Sequence, residues 1–267
     1  MDAAIGFVVA KGDPVERARL SWLRTGAAPH PDVLAKAELG QAPEGGWPAV
    51  WGQAPSVDAT CFHLAELDDL GALGRPAARR ALDWLAGQQR EDGTWEEDES
   101  LAAEAPVWAR PGDPEARLYL TANAGYWLTV AGLEAGSAAV PEAAGAYPDA
   151  VAGAARAISA SLREDGTWPS FLVTGWLGAA VLYRQQAYYD SARIQLVLSD
   201  RLPGMSPADL AWMAASLRRV GVPDGDWLPV ATRRRLAQTQ RSDGGWPSDD
   251  GPAFDVHVTL TAIRACR

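Results

Sequence analysis

The stretch Arg80-Ala81-Leu82-Asp83-Trp84-Leu85-Ala86-Gly87-Gln88-Gln89-Arg90-Glu91-Asp92-Gly93-Thr94-Trp95 decides how this chain folds. Its first half continues an apolar stripe, Ala78, Leu82 and Leu85, spaced by four and three residues as on one helix face. Its second half ends that helix. Asp92-Gly93 is a stop and a turn, because glycine enters the left-handed backbone region without a Cβ clash. The frame Gln-x-x-x-Gly-x-Trp recurs at Gln41–Trp47 and Gln240–Trp246, and from Leu162 to Trp168 with Leu in place of Gln. A weaker echo ends at Trp227. A phrase recurring at this rate is an internal repeat, and its architecture governs everything else.

Each copy sits at the same structural place. Residues 76–90, 149–163 and 230–241, ahead of three of the turns, read as amphipathic helices. Residues 57–71, 116–133, 170–184 and 254–265, after the turns, read as more apolar ones. Such a hairpin cannot bury its faces alone. Hairpins set around a ring bury them, with amphipathic helices outside and apolar helices inside. Further helical patterns at 14–24, 188–202 and 207–220 bring the expectation to about ten helices. The stretches 26–47, 106–114, 135–148 and 221–227 read as long loops. The expected fold is all-α, an α/α toroid (barrel) with inner and outer helix rings, in one domain over 1–267 whose repeats occupy 41–267.

Composition narrows the function. Among 267 residues, 24 basic and 34 acidic side chains give a net charge of −10, the wrong sign for a nucleic-acid surface. Two cysteines without paired spacing, Cys61 and Cys266, suit a reducing, cytoplasmic setting. The N-terminus is acidic where a secretory leader is basic, and the uncharged stretch 166–183 contains Pro169. At most peripheral membrane contact is expected. No Gly-rich phosphate loop, Gly-x-Ser-x-Gly elbow or His-Glu-x-x-His pair is present, which removes kinase, hydrolase and dehydrogenase readings. Tryptophan is abundant, 12 against 4 Phe and 6 Tyr.

With its upstream Arg80, Ala81, Trp84 and Leu85, the frame ending at Trp95 resembles the signature of the squalene–hopene and oxidosqualene cyclases. The wider group with this toroid includes class II terpene cyclases and the β subunits of protein prenyltransferases. The resemblance implies a terpene-cyclase-like enzyme that starts cyclisation of a linear isoprenoid with an acid, here as the catalytic barrel without the second helical domain of triterpene cyclases. A non-catalytic isoprenoid-binding or partner-dependent toroid is the alternative. A prenyltransferase-type subunit is a lesser one.

The chemistry itself asks for a carboxylic acid kept neutral in a water-poor pocket, and for aromatic faces that stabilise cations without capturing them. In the family the acid is the central Asp of an Asp-x-Asp-Asp-Thr segment. Here that segment is Ser56-Val57-Asp58-Ala59-Thr60, which matches at Asp58 and Thr60 but has Ser56 and Ala59 for the flanking acids. The family's histidine partner falls near Glu104-Ala105-Pro106, so Glu104, or His63 one turn beyond Asp58, is the expected tuner. Against this stands a simpler role: Asp58 two residues after an N-cap Ser interacts favourably with the helix dipole. Trp47, Trp51, Phe62, Trp127, Phe171, Trp176 and Phe254 are the expected pocket wall. No metal is expected in the site. Glu96-Glu97-Asp98-Glu99 offers Mg²⁺ ligands if the substrate carries a diphosphate, but an exposed acidic loop is the simpler reading. Glu66-Leu67-Asp68-Asp69, near its helix end, reads as a solvated face. Asp58 with Cys61 and His257 is a poor match to the prenyltransferase zinc pattern.

Overall fold

In the computed structural model, which describes residues 1–50, 52–136 and 146–267, the hairpins expected from the repeat close into a ring. The inner helices are α2 (Pro14–Thr25), α4 (Val57–Asp69), α6 (Pro114–Gly136), α8 (Leu172–Arg184), α10 (Pro207–Arg219) and α12 (Asp255–Cys266). Each packs on the next, and α12 packs on α2. Outside lie α1 (Asp2–Lys11), α3 (Pro31–Ala37), α5 (Pro76–Gly87), α7 (Pro148–Ser161), α9 (Tyr188–Arg201) and α11 (Trp227–Thr239). Burial follows the layers. α8 buries every residue from Thr174 to Leu182, while α5 buries Ala77, Ala78, Ala81, Leu82 and Leu85 and turns Arg79 and Arg80 outward.

The turn holds neighbouring hairpins together. Gln89 Nε2 donates to Gly93 O at 3.1 Å within its own turn and to Ala150 O of α7 at 2.9 Å. Gln41 does the same to Gly45 O and to Ala77 O of α5, at 2.7 and 2.8 Å. Arg80 of α5 in turn donates to the Gln41 carboxamide oxygen. Three of the four repeat tryptophans are tied twice. The backbone N–H groups of Trp47, Trp95 and Trp246 donate to Thr60, Thr121 and Thr259 of the next inner helix, each at 3.0 Å. Their indole N–H groups donate to the carbonyls of Leu39, Leu85 and Leu236.

Gly93 has φ 84°, and a Cβ there would lie 2.6 Å from Gly153 O of α7. Gly244 has φ 90°, and its Cβ would meet Ala3 O of α1 at 2.2 Å. The last turn therefore seats against the first helix and closes the ring. Where Leu162 replaces Gln, Arg193 of α9 reaches across and donates to the Glu164 carbonyl at 2.7 Å. The missing amide is replaced from the opposite side.

Several expectations change. Among the described residues twelve helices form instead of about ten, the additional α1 and α3 being short. The seven-residue α3, opened by Pro31 with His30 as its cap, sits within the stretch expected as a loop. Trp47–Pro48 pairs antiparallel with Pro55–Ser56 in a two-residue ladder. Most of the loop expected at 135–148 lies outside the described residues. The echo at Trp227 is no repeat turn, since it opens an outer helix and its indole is 49% exposed. Asp68 and Asp69, expected on a solvated face, are held in ion pairs with inner-helix arginines. Among the described residues, no helix is long and apolar enough to cross a membrane.

Trp95 is fully buried and doubly hydrogen-bonded. Trp95→Ala should therefore lower unfolding free energy by about 3–5 kcal/mol in denaturant titration. Trp227→Ala, at an exposed helix start, should change it by less than about 0.5 kcal/mol.

Candidate active site

The site is built at the first turn of α4. Ser56 is its N-cap, accepting from Ala59 N at 3.1 Å. The other free N–H groups of that turn go to Glu97. Its carboxylate accepts from Ser56 Oγ at 2.7 Å, Val57 N at 2.8 Å and Asp58 N at 2.9 Å. A carboxylate at a helix N-terminus also gains from the helix dipole.

With its backbone fixed, Asp58 sends its carboxyl group toward α6 and the 107–109 turn. Tyr119 OH donates to Oδ1 at 2.9 Å, and Trp108 Nε1 donates to Oδ2 at 3.0 Å. Asn123, one turn further along α6, donates to the Tyr119 oxygen at 3.2 Å, which commits the phenol hydrogen to Asp58. Phe171, at the start of α8, stands edge-on to the Tyr119 ring with centroids 6.1 Å apart.

Burial raises the Asp58 pKa above the ordinary carboxylate value, outweighing the hydrogen bonds from Tyr119 and Trp108 that pull it down. Glu97 is pushed up to about 7, mainly by burial against its three hydrogen bonds, with the nearby Asp58 charge adding to the rise. Burial, then Asp58, holds the Tyr119 hydroxyl well above its usual range, so it serves as a neutral donor. Cys61 on α4 is likewise kept a thiol, by burial first and then by Asp58 and Glu97.

The expected residues scatter. Asp58 is at the centre. Glu104 is exposed and is not a partner of Asp58; Trp108, four residues later in the same loop, fills that place. His63 stacks on Trp47 with centroids 4.7 Å apart and sets Nδ1 3.2 Å from Glu66. Trp47 is 1% exposed and tied at both nitrogens, which makes it scaffold and not pocket wall. Trp51 lies outside the described residues. Phe62, near the middle of α4, is 57% exposed, and Phe254, the N-cap of α12, is 52% exposed. Trp127 is buried against Tyr126, and Trp176 is buried against Trp212 of α10.

Glu97, Trp108 and Tyr119 were not expected. Glu97 was hidden in the run Glu96-Glu97-Asp98-Glu99, which does not act as one acidic patch. Glu96 pairs with Arg90 and Arg117, at 2.7 and 3.0 Å, while Glu97 is buried against α4. Two of the run's four carboxylates, Glu96 and Glu97, are thereby engaged. Among the described residues, no group of three His, Cys, Asp or Glu side chains is placed to hold a metal ion. A cleft of about 720 Å³ between the end of α5 and the 96–112 loop has Val57, Trp84, Arg90, Glu97 and Arg117 among its lining residues.

Solved structures superimpose on nearly the full length of this chain. A variant of type II terpene cyclase MstE from Scytonema, in complex with geranylgeranyl dihydroxybenzoate, matches 99% of this chain and 94% of its own, with TM-score 0.61 and 15% identity. The apo form of MstE matches over 99% and 95%, with TM-score 0.57 and 15% identity. A protein from Actinoplanes matches over 99% and 96%, with TM-score 0.58 and 17% identity. No protein-family model and no curated protein matches the sequence. At these identities the likeness establishes the fold, which is that of the type II terpene cyclases.

The raised pKa of Glu97 makes stability depend on pH. Below its unfolded value of about 4.5 the side chain is protonated in both states. Between 4.5 and about 7 the folded protein holds a proton that the unfolded chain has released, so stability falls as pH rises through this window. Glu97→Gln removes the titration. Thermal melts across that window should fall less steeply with pH in the variant than in the parent, and parallel slopes would remove Glu97 as the cause.

Proposed function

We propose that the protein is a terpene-cyclase-like enzyme that protonates a linear isoprenoid to start its cyclisation. The observation that carries this reading is Asp58: a carboxyl with a raised pKa, at the N-terminal end of an inner helix, clamped by the hydroxyl of Tyr119 and the indole of Trp108. Fold alone does not fix activity. The arrangement around Asp58 is what supports the reading beyond the fold.

In the proposed step, neutral Asp58 gives its proton to one carbon of the terminal alkene, whose π pair forms the new C–H bond. The cation left on the neighbouring carbon is attacked by the next alkene, and a ring C–C bond forms. A proton leaves the final cation, so the reaction is an isomerisation overall, and Asp58 is reprotonated before the next turnover. Tyr119 and Trp108 stabilise the carboxylate that appears as the proton departs, where their hydrogen bonds are strongest. Phe62, Phe171, Trp212 and Phe254, set on or at the starts of inner helices, offer ring faces to the cations.

A second reading keeps the isoprenoid and drops the chemistry. Both hydrogen bonds to Asp58 favour its anionic form, as a non-catalytic binding toroid would tolerate. The prenyltransferase-type reading gains no support, because Cys61 is a buried thiol and His257 Nδ1 is engaged by Arg19 at 3.1 Å.

Asp58→Asn separates the first two readings. Removal of a general acid should cost roughly 10²–10⁴-fold in turnover, with isoprenoid binding and the melting curve retained. Asn is also accepted near a helix start, so a full-activity variant would return Asp58 to a structural role. Tyr119→Phe removes a donor to the anion and so raises the Asp58 pKa. The activity lost as pH increases should then be lost at a higher pH, with a lower maximal rate.

A further inference from the structure

At the far end of α4 from the acid, Asp68 and Asp69 join a cluster of charges drawn from the inner ring. Asp68 accepts from Arg219 of α10 at 3.0 Å and from Arg264 of α12. Asp69 accepts from Arg264 and from Arg19 of α2. Arg219 reaches on to Glu134 of α6, and Arg19 donates to His257 of α12 at 3.1 Å. Five of the six inner helices therefore meet in one ion network. In the ring order α2, α4, α6, α8, α10, α12, helices α4 and α10 are three steps apart and stand opposite each other. A salt bridge between opposite helices crosses the lumen. The centre of the cluster is buried: the Asp68, Asp69 and Arg19 side chains are 6%, 14% and 6% exposed, while Arg219 and Arg264 are partly exposed and Glu134 lies at its open edge.

Asp58 lies ten residues before Asp68 on the same helix, so the cluster crosses the ring roughly 15 Å along the axis from the acid. We propose that this ion network is the floor of the substrate chamber and sets the length of chain it accepts, admitting farnesyl- and geranylgeranyl-sized chains and excluding squalene. An apolar floor can repack around a longer chain. This one yields only by stranding a buried charge against hydrocarbon, which is far more costly than losing an apolar contact. That the chamber holds an isoprenoid rests on the reading above; the position of the ion network across the ring does not.

Arg219→Ala is the test, because it removes the cross-lumen strut while Asp68 keeps Arg264 and Asp69 keeps Arg19 and Arg264. Parent and variant are titrated by tryptophan fluorescence with geraniol, farnesol, geranylgeraniol and squalene, and with unbranched alkanols of matching lengths. Circular dichroism checks the fold. The parent should bind squalene at least tenfold more weakly than farnesol, and Arg219→Ala should bind squalene at least tenfold more tightly than the parent does, with farnesol unchanged. Equal binding of squalene and farnesol by the parent would overturn the floor, as would an unaltered length profile in a folded variant. If the variant does not fold, the parent's length profile decides alone. Isoprenoids that fail at every length, beside alkanols that still show the length limit, would uphold the floor and overturn the isoprenoid reading.

Discussion

A glycine without a side chain, followed two residues later by a tryptophan, is the contact on which the ring depends. At Gly93 and Gly244 the turn lies directly against the backbone of the next outer helix, closer than any Cβ permits. The tryptophan then fills the wedge between layers while its backbone N–H is taken by a threonine on the next inner helix. Each turn thus sets three things at once: where an outer helix stops, how close its neighbour comes, and the height at which the following inner helix begins. With the last turn seated on α1, the two ends of the chain complete one closed ring.

The site is a consequence of the same contacts. Thr60, which receives the Trp47 N–H, is two residues from Asp58; Thr121, which receives the Trp95 N–H, is two residues from Tyr119. Residues two apart on a helix point to nearly opposite sides. The face that locks onto the turns therefore turns Asp58 and Tyr119 away from them and toward each other, where they meet at 2.9 Å. Glu97, two residues beyond Trp95, is delivered by the second turn to the N-terminus opened by the first. Scaffold and site share one set of hydrogen bonds.

The repeat made the ring legible because its glycine and tryptophan have strong local requirements that hold wherever the frame occurs. Asp58 was legible through its position between the first turn and an inner helix. Its partners were not. The loop holding the tuner was located near Glu104, but a loop without periodicity does not tell which residue turns inward, and the inward one is Trp108. Glu97 looked like one of four solvated acids; what distinguishes it from Glu96 is that burial alternates along Trp95-Glu96-Glu97-Asp98 and the second acid falls on the buried side. Asp68 and Asp69 misled for the opposite reason. Their arginine partners lie 151 to 196 residues away along the chain, or at Arg19, a separation no local pattern reports.

Two opposed forces act on Asp58. Burial favours the neutral acid that can give up a proton, and the donors Tyr119 and Trp108 favour the anion that remains. An acid that is neutral before the step and stabilised after it is suited to protonating an alkene, and the whole functional account rests on that proton. The most direct measurement is incubation of the purified protein with farnesol and geranylgeraniol in deuterated water, followed by mass spectrometry of the products. The account predicts cyclic isomers carrying one deuterium, placed where the terminal alkene was protonated. Cyclic products without deuterium, or recovery of only the linear chains, would contradict it.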